Sequence, residues 1–321
     1  MEALENVSVR RAREKEEIMR IIETLEEIRS ERPTAVTLGK FDGLHRAHQI
    51  LLSNVVRIGK EKGFCPVSIS FDLSPVRILT KKEKEQRLKD AGIETVIRLP
   101  FTAEIMSMEP DVFIEEILCE KLHAAYVCVG DDFRFGHHRA GDAAMLQKYG
   151  MHYGFSTEIV PAVHEGEREI SSTWIREALA EGDVETAGML LGYPYYLTGT
   201  VVHGRALGRT IGVPTTNIIP DQEKLLPKHG VYVSRTTIGS STWGGITNIG
   251  SKPTVNGQFV GAETYLFDCD GDLYGTEQKT ELLHYLRPEI RFPSVSALKE
   301  QLEKDKKEGY AFYASLGKNS T

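Results

Sequence analysis

The feature that most constrains this chain is a change of hydrophobic period near residue 192. From Pro33 to Val160 short apolar runs alternate with helix-length segments, whereas beyond Gly192-Tyr193-Pro194 closely spaced β-branched runs take over. In the first stretch Ala35–Leu38, Val67–Phe71, Thr95–Leu99, Ala125–Val129 and Phe155–Val160 read as strands. Helices read over His48–Arg57, Lys82–Ala91, Val112–Leu122 and Ala143–Tyr149 lie between them. Strands alternating with helices predict an α/β doubly wound parallel sheet with helices on both faces. Two short helices follow, Thr173–Glu181 and Val184–Leu191. The second stretch carries Gly199–Val202, Gly230–Val233, Gly245–Ile249 and Thr264–Phe267, a spacing that predicts an all-β barrel. A helical tail over Ser294–Leu316 closes the chain.

At 321 residues the chain should hold about two domains. The boundary is expected near 188–196, giving domains 1–190 and 191–321. Residues 1–32 read as a mixed-charge helical segment, with Ile18, Ile21, Ile22, Leu25 and Ile28 near helical spacing.

Composition narrows the function classes. Hydrophobic residues make up 40% and charged residues 26%, which excludes a disordered or collagenous chain. The net charge of −7 argues against nucleic acid as partner. No apolar run approaches the roughly 18 residues that span a bilayer, and the charged start is not expected to be a secretory signal. The four cysteines, Cys65, Cys119, Cys128 and Cys269, contain no C-x-x-C pair. They are expected as reduced thiols in a cytoplasmic protein.

In open α/β sheets ligands bind outside the carboxyl ends of the strands. That rule puts Gly39–His48 and Gly130–Gly136 at one rim. A glycine-rich turn lets backbone approach a ligand closely, and the helix amino-terminus behind it favours phosphate. His45 and His48, three apart, could donate hydrogen bonds to a phosphoryl oxygen. They could equally be surface histidines or a zinc pair, although no third ligand stands near in sequence. In the second stretch, Gly204–Asn217 combines a glycine loop with a rigid Pro214-Thr215-Thr216-Asn217 segment. It lacks the Walker A pattern, so the residues alone leave a plain loop and a phosphate site both open.

The run Gly39-Lys40-Phe41-Asp42-Gly43-Leu44-His45-Arg46-Ala47-His48 resembles the G-x-F-D-G-x-H-x-G-H element of H-x-G-H nucleotidyltransferases. Ile170–Arg176 resembles their I-S-S-T-x-I-R signature, and Gly130–Gly136 the G-D-D-F-R-F-G loop of bacterial bifunctional riboflavin kinase/FAD synthetases. Leu207–Asn217 is similar to the riboflavin kinase signature ending in P-T-x-N. Asn248–Thr254, Glu263–Asp268, Asp272–Gly275 and Leu286–Glu289 also fit that family, so the resemblance covers nearly the whole chain. Two departures stand out: Ala47 replaces the second glycine of H-x-G-H, and Phe71-Asp72-Leu73-Ser74-Pro75 keeps only the last proline of an F-x-P-x-P-like turn.

The resemblance implies ATP-dependent phosphorylation of riboflavin to FMN in the barrel and AMP transfer from ATP to FMN, giving FAD, in the α/β domain. It implies ATP contacts for Gly39, Phe41, Asp42, Gly43, His45, His48, Ser172, Thr173 and Arg176, with His45, His48 and Arg176 catalytic. Asp131, Asp132, Phe133 and Arg134 are implied as flavin contacts there. In the barrel it implies ATP contacts for Gly204, Gly208, Gly212, Pro214, Thr215, Thr216 and Asn217. Thr215 and Asn217 would ligate Mg²⁺, Glu263 would be the base, and Lys252 and Arg287 would touch flavin. Ser171–Thr173 also reads as a helix N-cap, and Glu263 taken alone as a surface salt-bridge partner. Riboflavin, FMN, FAD and ATP are the expected partners, with self-association compatible with the sequence. Two other readings stay open at this point: riboflavin kinase only, with AMP transfer weakened by the two departures, or a flavin-sensing protein without turnover.

Overall fold

The computed structural model describes residues 19–72, 74–100, 102–203, 214–254, 257–269 and 271–316, with backbone alone for 72, 252–254 and 257–259. The chain forms two compact units. One holds the residues up to Ser74 with Lys81–His164, the other Pro75–Thr80 with Glu165 onward.

The first unit is built on β1 (Arg20–Ile22), β2 (Thr34–Gly39), β3 (Cys65–Asp72), β4 (Thr95–Pro100), β5 (Ala124–Gly130) and β6 (Ser156–Val160). These form one parallel sheet in the order β1-β4-β3-β2-β5-β6. Alternation sorts each strand into two faces. Val36, Leu38, Val67, Ile69, Ile97, Leu99, Val127 and Val129 pack in one core with Phe113, Ile114, Ile117 and Leu118. Those four lie on a π-helix, Phe113–Lys121, where an ordinary helix was expected.

Helix α1 (Arg46–Lys62) buries Leu51, Leu52, Val55 and Val56. It stops at Gly63, whose left-handed φ of 72° and N–H bond to the Gly59 carbonyl form a C-cap. Helices α2 (Lys81–Asp90) and α3 (Ala143–Tyr153) complete the unit.

The helical segment expected over 1–32 is corrected by the structure from residue 19 onward, and residues 1–18 lie outside the described residues. Arg20–Ile22 instead pairs in parallel with Thr95–Ile97, starting from the Arg20 N–H bond to the Glu94 carbonyl at 2.8 Å. Ile22, Leu25 and Ile28 are still buried in the main core. The sheet edge offers β1 backbone partners that an isolated turn of helix lacks, so the apolar spacing is met by an edge strand and a turn.

The second unit begins with α4 (Ser172–Glu181) and α5 (Val184–Leu191), each ended by a left-handed glycine, Gly182 and Gly192. The strands β7 (Tyr196–Thr200), β8 (Thr215–Ile218), β9 (Gly230–Ile238), β10 (Ser241–Thr254), β11 (Gly257–Leu266) and β12 (Glu277–Arg287) follow. Their antiparallel order is β7-β12-β9-β10-β11-β8, and the Val202–Asn217 bridge brings the two edges together into a nearly closed barrel. Its interior is partly polar. Thr247 bonds Ser234 at 2.8 Å and Thr264 at 2.9 Å, and Thr236 meets Thr280 at 3.1 Å, so the inward hydroxyls satisfy one another. Outside, α6 (Val295–Leu316) covers an apolar patch of Val231, Ile246 and Phe267 with Tyr313. A Cβ at Gly244 would lie 2.6 Å from the Tyr313 ring, so glycine there admits the helix.

Pro75, the retained proline of the altered turn, and the residues after it up to Thr80 group with this second unit. Arg77 bridges to Lys224 and pairs with Glu223, and the buried Lys224 ammonium donates to the Ile78 carbonyl at 2.9 Å.

Candidate active sites

The turn between β2 and α1 takes three left-handed residues: Phe41 (φ 50°), Gly43 (φ 82°) and Leu44 (φ 44°). Such a backbone costs on the order of 1–3 kcal/mol at each non-glycine position and persists only where surroundings enforce it. Here burial does so, since Phe41 and Leu44 are 0% and 2% exposed. Gly39 is needed for close approach, because a Cβ there would stand 3.1 Å from the Phe41 ring.

His45 is the N-cap residue of α1, and its carbonyl accepts from Gln49 N–H at 3.0 Å. The His45 and His48 rings stack with centroids 3.6 Å apart, and the Phe41 ring meets His48 edge-on at 5.2 Å. Burial pushes His45 down to about 4. Burial, then the neighbouring His45 and Lys84 charges, holds His48 well below the usual histidine range. Both rings are therefore neutral at pH 7. The buried Nδ1 atoms of both have no protein hydrogen-bond partner. Two neutral imidazoles with unspent polar atoms at a helix amino-terminus have the donors that an anion would need. Ala47 is the second residue of α1 and is half-buried.

The Gly130–Gly136 loop leaves β5, the neighbour of β2, at the same rim. Asp131 accepts from Ala162 N–H at 3.2 Å, and Phe133 N–H bonds the Gly130 carbonyl. Phe133 and Phe135 stack at 5.7 Å, and Phe135 meets Phe113 at the same distance. Asp132 and Arg134 are exposed, with the Arg134 guanidinium donating to the Phe133 carbonyl at 2.9 Å. The loop thus offers an aromatic step flanked by charges of both signs.

Ser172, Thr173 and Arg176 lie on α4 in the second unit. Ser171 caps that helix, its hydroxyl accepting from Trp174 N–H at 3.4 Å. Arg176 donates to the carbonyl of Val76, the residue after Pro75, at 2.8 Å.

The barrel assembles a row of polar side chains across three strands. Asn217 on β8 pairs with Glu263 on β11, which pairs with Asn248 on β10. Thr215, two residues before Asn217 and on the same face, donates its hydroxyl to Glu263 Oε1 at 2.8 Å. Thr216 points the other way, into the barrel, and donates to the Thr264 carbonyl at 3.4 Å. Pro214 is exposed at the entrance to β8. The row continues through Val231 to Arg287. There the guanidinium grips Asp305 of α6 through two bonds of 2.9 and 2.6 Å.

Gly204, Gly208, Gly212 and the Lys252 side chain lie outside the described residues. Asn248 carries no role in the sequence reading, yet its Oδ1 is buried and lacks a hydrogen-bond partner. The signal was its place at the head of the Asn248–Thr254 run that resembles the riboflavin kinase family. Among the described residues no group of three His, Cys, Asp or Glu side chains could hold a metal. The hydroxyl, carboxylate and amide oxygens of Thr215, Glu263 and Asn217 are the hard donors that suit Mg²⁺.

An α/β sheet with a buried histidine pair at a helix amino-terminus, joined in one chain to a barrel bearing a carboxylate–hydroxyl–amide row, defines a two-domain phosphorus-transferring enzyme. The FAD synthetase family model matches residues 27–174 and the riboflavin kinase family model residues 191–313. A bifunctional riboflavin kinase/FMN adenylyltransferase of Haemophilus influenzae is 37% identical over 292 residues, 88% of this chain and 94% of the relative. Its counterpart in Escherichia coli K12 is 37% identical over 289 residues, covering 87% and 92%. A crystal structure described as a macrolide-efflux protein from Streptococcus pneumoniae is 31% identical, with a TM-score of 0.81 over 89% of this chain and 97% of that one. The chain belongs to the bifunctional riboflavin kinase/FMN adenylyltransferase family. Both of its catalytic domains are present, which favours the two-activity reading over the kinase-only one. Among the described residues no helix is long and apolar enough to cross a membrane.

Proposed function

We propose that residues 1–190 carry the AMP transfer that converts FMN to FAD and residues 191–321 the phosphorylation of riboflavin to FMN, in the cytoplasm. In the barrel, Glu263 accepts the proton of the terminal ribityl hydroxyl as that oxygen attacks the γ-phosphorus of ATP. Thr215 orients the carboxylate through its 2.8 Å hydrogen bond, the observation that carries this assignment. Thr215 and Asn217 hold Mg²⁺, which when bound neutralises phosphate charge. Gly204, Gly208 and Gly212 let the loop close over ATP next to Pro214 and Thr216, and Lys252 and Arg287 border the flavin.

In the α/β domain, His45 and His48 donate to the α-phosphoryl oxygens as charge builds in the in-line displacement by the FMN phosphate. The turn Gly39-Phe41-Asp42-Gly43 approaches the nucleotide by its backbone. Ser172, Thr173 and Arg176 serve the pyrophosphate leaving group, and Asp131, Asp132, Phe133 and Arg134 receive the flavin. Neither step needs a covalent enzyme intermediate. Incubation with riboflavin and MgATP, following FMN and FAD separately in time, tests the proposal. FMN should rise first and FAD follow, and a chain that binds flavin yet forms neither product would support the sensing reading instead.

A further inference from the structure

A buried acceptor that lacks a donor costs its full desolvation, and native folds keep few of them. The Asn248 Oδ1 atom is one, without a hydrogen-bond partner among the described residues. Strand alternation fixes where it stands. Thr247 points into the barrel, where it bonds Ser234 and Thr264. Ile246, Asn248 and Gly250 therefore share the outer face of β10, and Ile246 lies in the patch under α6. On that face Asn248 is in register with Glu263 on one side and Val231 on the other. Two residues further along β10, a Cβ at Gly250 would overlap the Glu289 carboxylate, so the bare glycine lets that carboxylate lie against the strand.

Glu263, Asn248 and Glu289 thus bring acceptor oxygens to one outer face of the barrel. Such a row suits a ligand that carries a row of O–H donors. The ribityl chain is one, bearing secondary hydroxyls beyond the terminal hydroxyl assigned to Glu263. A purely apolar ligand would leave the Asn248 oxygen as costly as before. We propose that Asn248 accepts a hydrogen bond from a secondary hydroxyl of the ribityl chain, and so sets the preference of the kinase site for a polyol-bearing flavin. This rests on the kinase reading of the second domain. That reading fails separately if the unaltered chain forms no FMN from riboflavin and MgATP.

The test uses the full-length chain, unaltered and as Asn248→Ala and Asn248→Asp, with two substrates. One is riboflavin; the other is a flavin whose side chain is an ω-hydroxyalkyl of the same length, which keeps the terminal hydroxyl and lacks the secondary ones. The readout is the ratio of kcat/KM for riboflavin to kcat/KM for the analogue, in which changes in ATP handling or in Glu263 basicity cancel. The unaltered chain should favour riboflavin, and Asn248→Ala should cut the ratio about tenfold, the scale of one hydrogen bond. Asn248→Asp, which keeps the acceptor, should hold the ratio to within about threefold of the unaltered value. A fall of less than about threefold for Asn248→Ala, equal falls for both variants, or an unaltered chain indifferent to the two flavins overturns the proposal. So does an unchanged ratio with a raised Mg²⁺ requirement, which would assign the oxygen to the metal. Should Asn248→Ala phosphorylate neither flavin, Asn248→Ser decides by the same ratio: a fall of about fivefold or more supports the contact, and a smaller fall or a second loss of both activities overturns it.

Discussion

The Thr215 hydroxyl donates to the Glu263 carboxylate across the β8–β11 pair at 2.8 Å, fixing one oxygen of a residue that stands in register between Asn217 and Asn248. A carboxylate held this way is oriented to accept a proton, whereas a glutamine of the same shape is not. Glu263→Gln should reduce riboflavin phosphorylation by about 10²–10⁴. FAD formation from supplied FMN should be unchanged, and chromatographic separation of the two products checks both expectations. Unaltered FMN production would remove Glu263 from the mechanism.

The complementary experiment concerns the stacked pair. His48→Ala should slow FAD formation by about 10²–10³ while riboflavin phosphorylation continues at its normal rate. Steady-state rates for each half reaction on one preparation give the answer. Normal FAD formation in this variant would mean that the anion site is used by something other than the reacting phosphates.

The same pair sets an acid limit on stability. His45, pushed down to about 4, and His48, also lowered, take up protons less readily folded than unfolded, where histidine titrates near 6.5. The unfolded chain therefore binds more protons below pH 6.5, and stability falls as pH drops from about 6.5 toward 4. Urea unfolding of the first unit, followed at pH 7.5, 5.5 and 4.5, should show this decline. His45→Gln should flatten it. A slope unchanged by that substitution would assign the acid sensitivity to other groups.

Arg287 and Asp305 test how the C-terminal helix is held. Asp305 is 1% exposed and accepts from Arg287 and from Gln301 at 2.9 Å. Removing one member of a buried pair strands the other, at a cost of about 3–5 kcal/mol. Asp305→Ala should accordingly lower the thermal midpoint at which riboflavin phosphorylation is lost, with a smaller effect on FAD formation. Calorimetry combined with the two residual activities after heating separates these outcomes.

Much of the α/β unit was legible because strands buried in a parallel sheet are short, apolar and bounded by breakers. Ala35–Leu38, Val67–Phe71 and Thr95–Leu99 each lie within an observed strand. Glu277–Arg287 was not read as a strand. Its inward residues Gln278 and Thr280 are polar, and the Gln278 amide nitrogen donates to the Thr280 hydroxyl inside the barrel. Period two is present there, but hidden from hydrophobicity. Arg20–Ile22 escaped for the opposite reason, since it is a strand only because β4 offers it an edge.

The sequence by itself determined the two-domain plan, the glycine turn with its histidine pair, and the order of the kinase motifs, because those depend on local residue types and spacing. Only the tertiary structure decided that Asn217, Glu263 and Asn248 share one cross-strand row, that Arg287 spends its guanidinium on Asp305, and that Lys84, among the lysines of α2, turns inward. Those outcomes depend on strand register and on which helix face meets the sheet. Both are settled by packing between residues far apart in the chain, which a one-dimensional pattern does not encode.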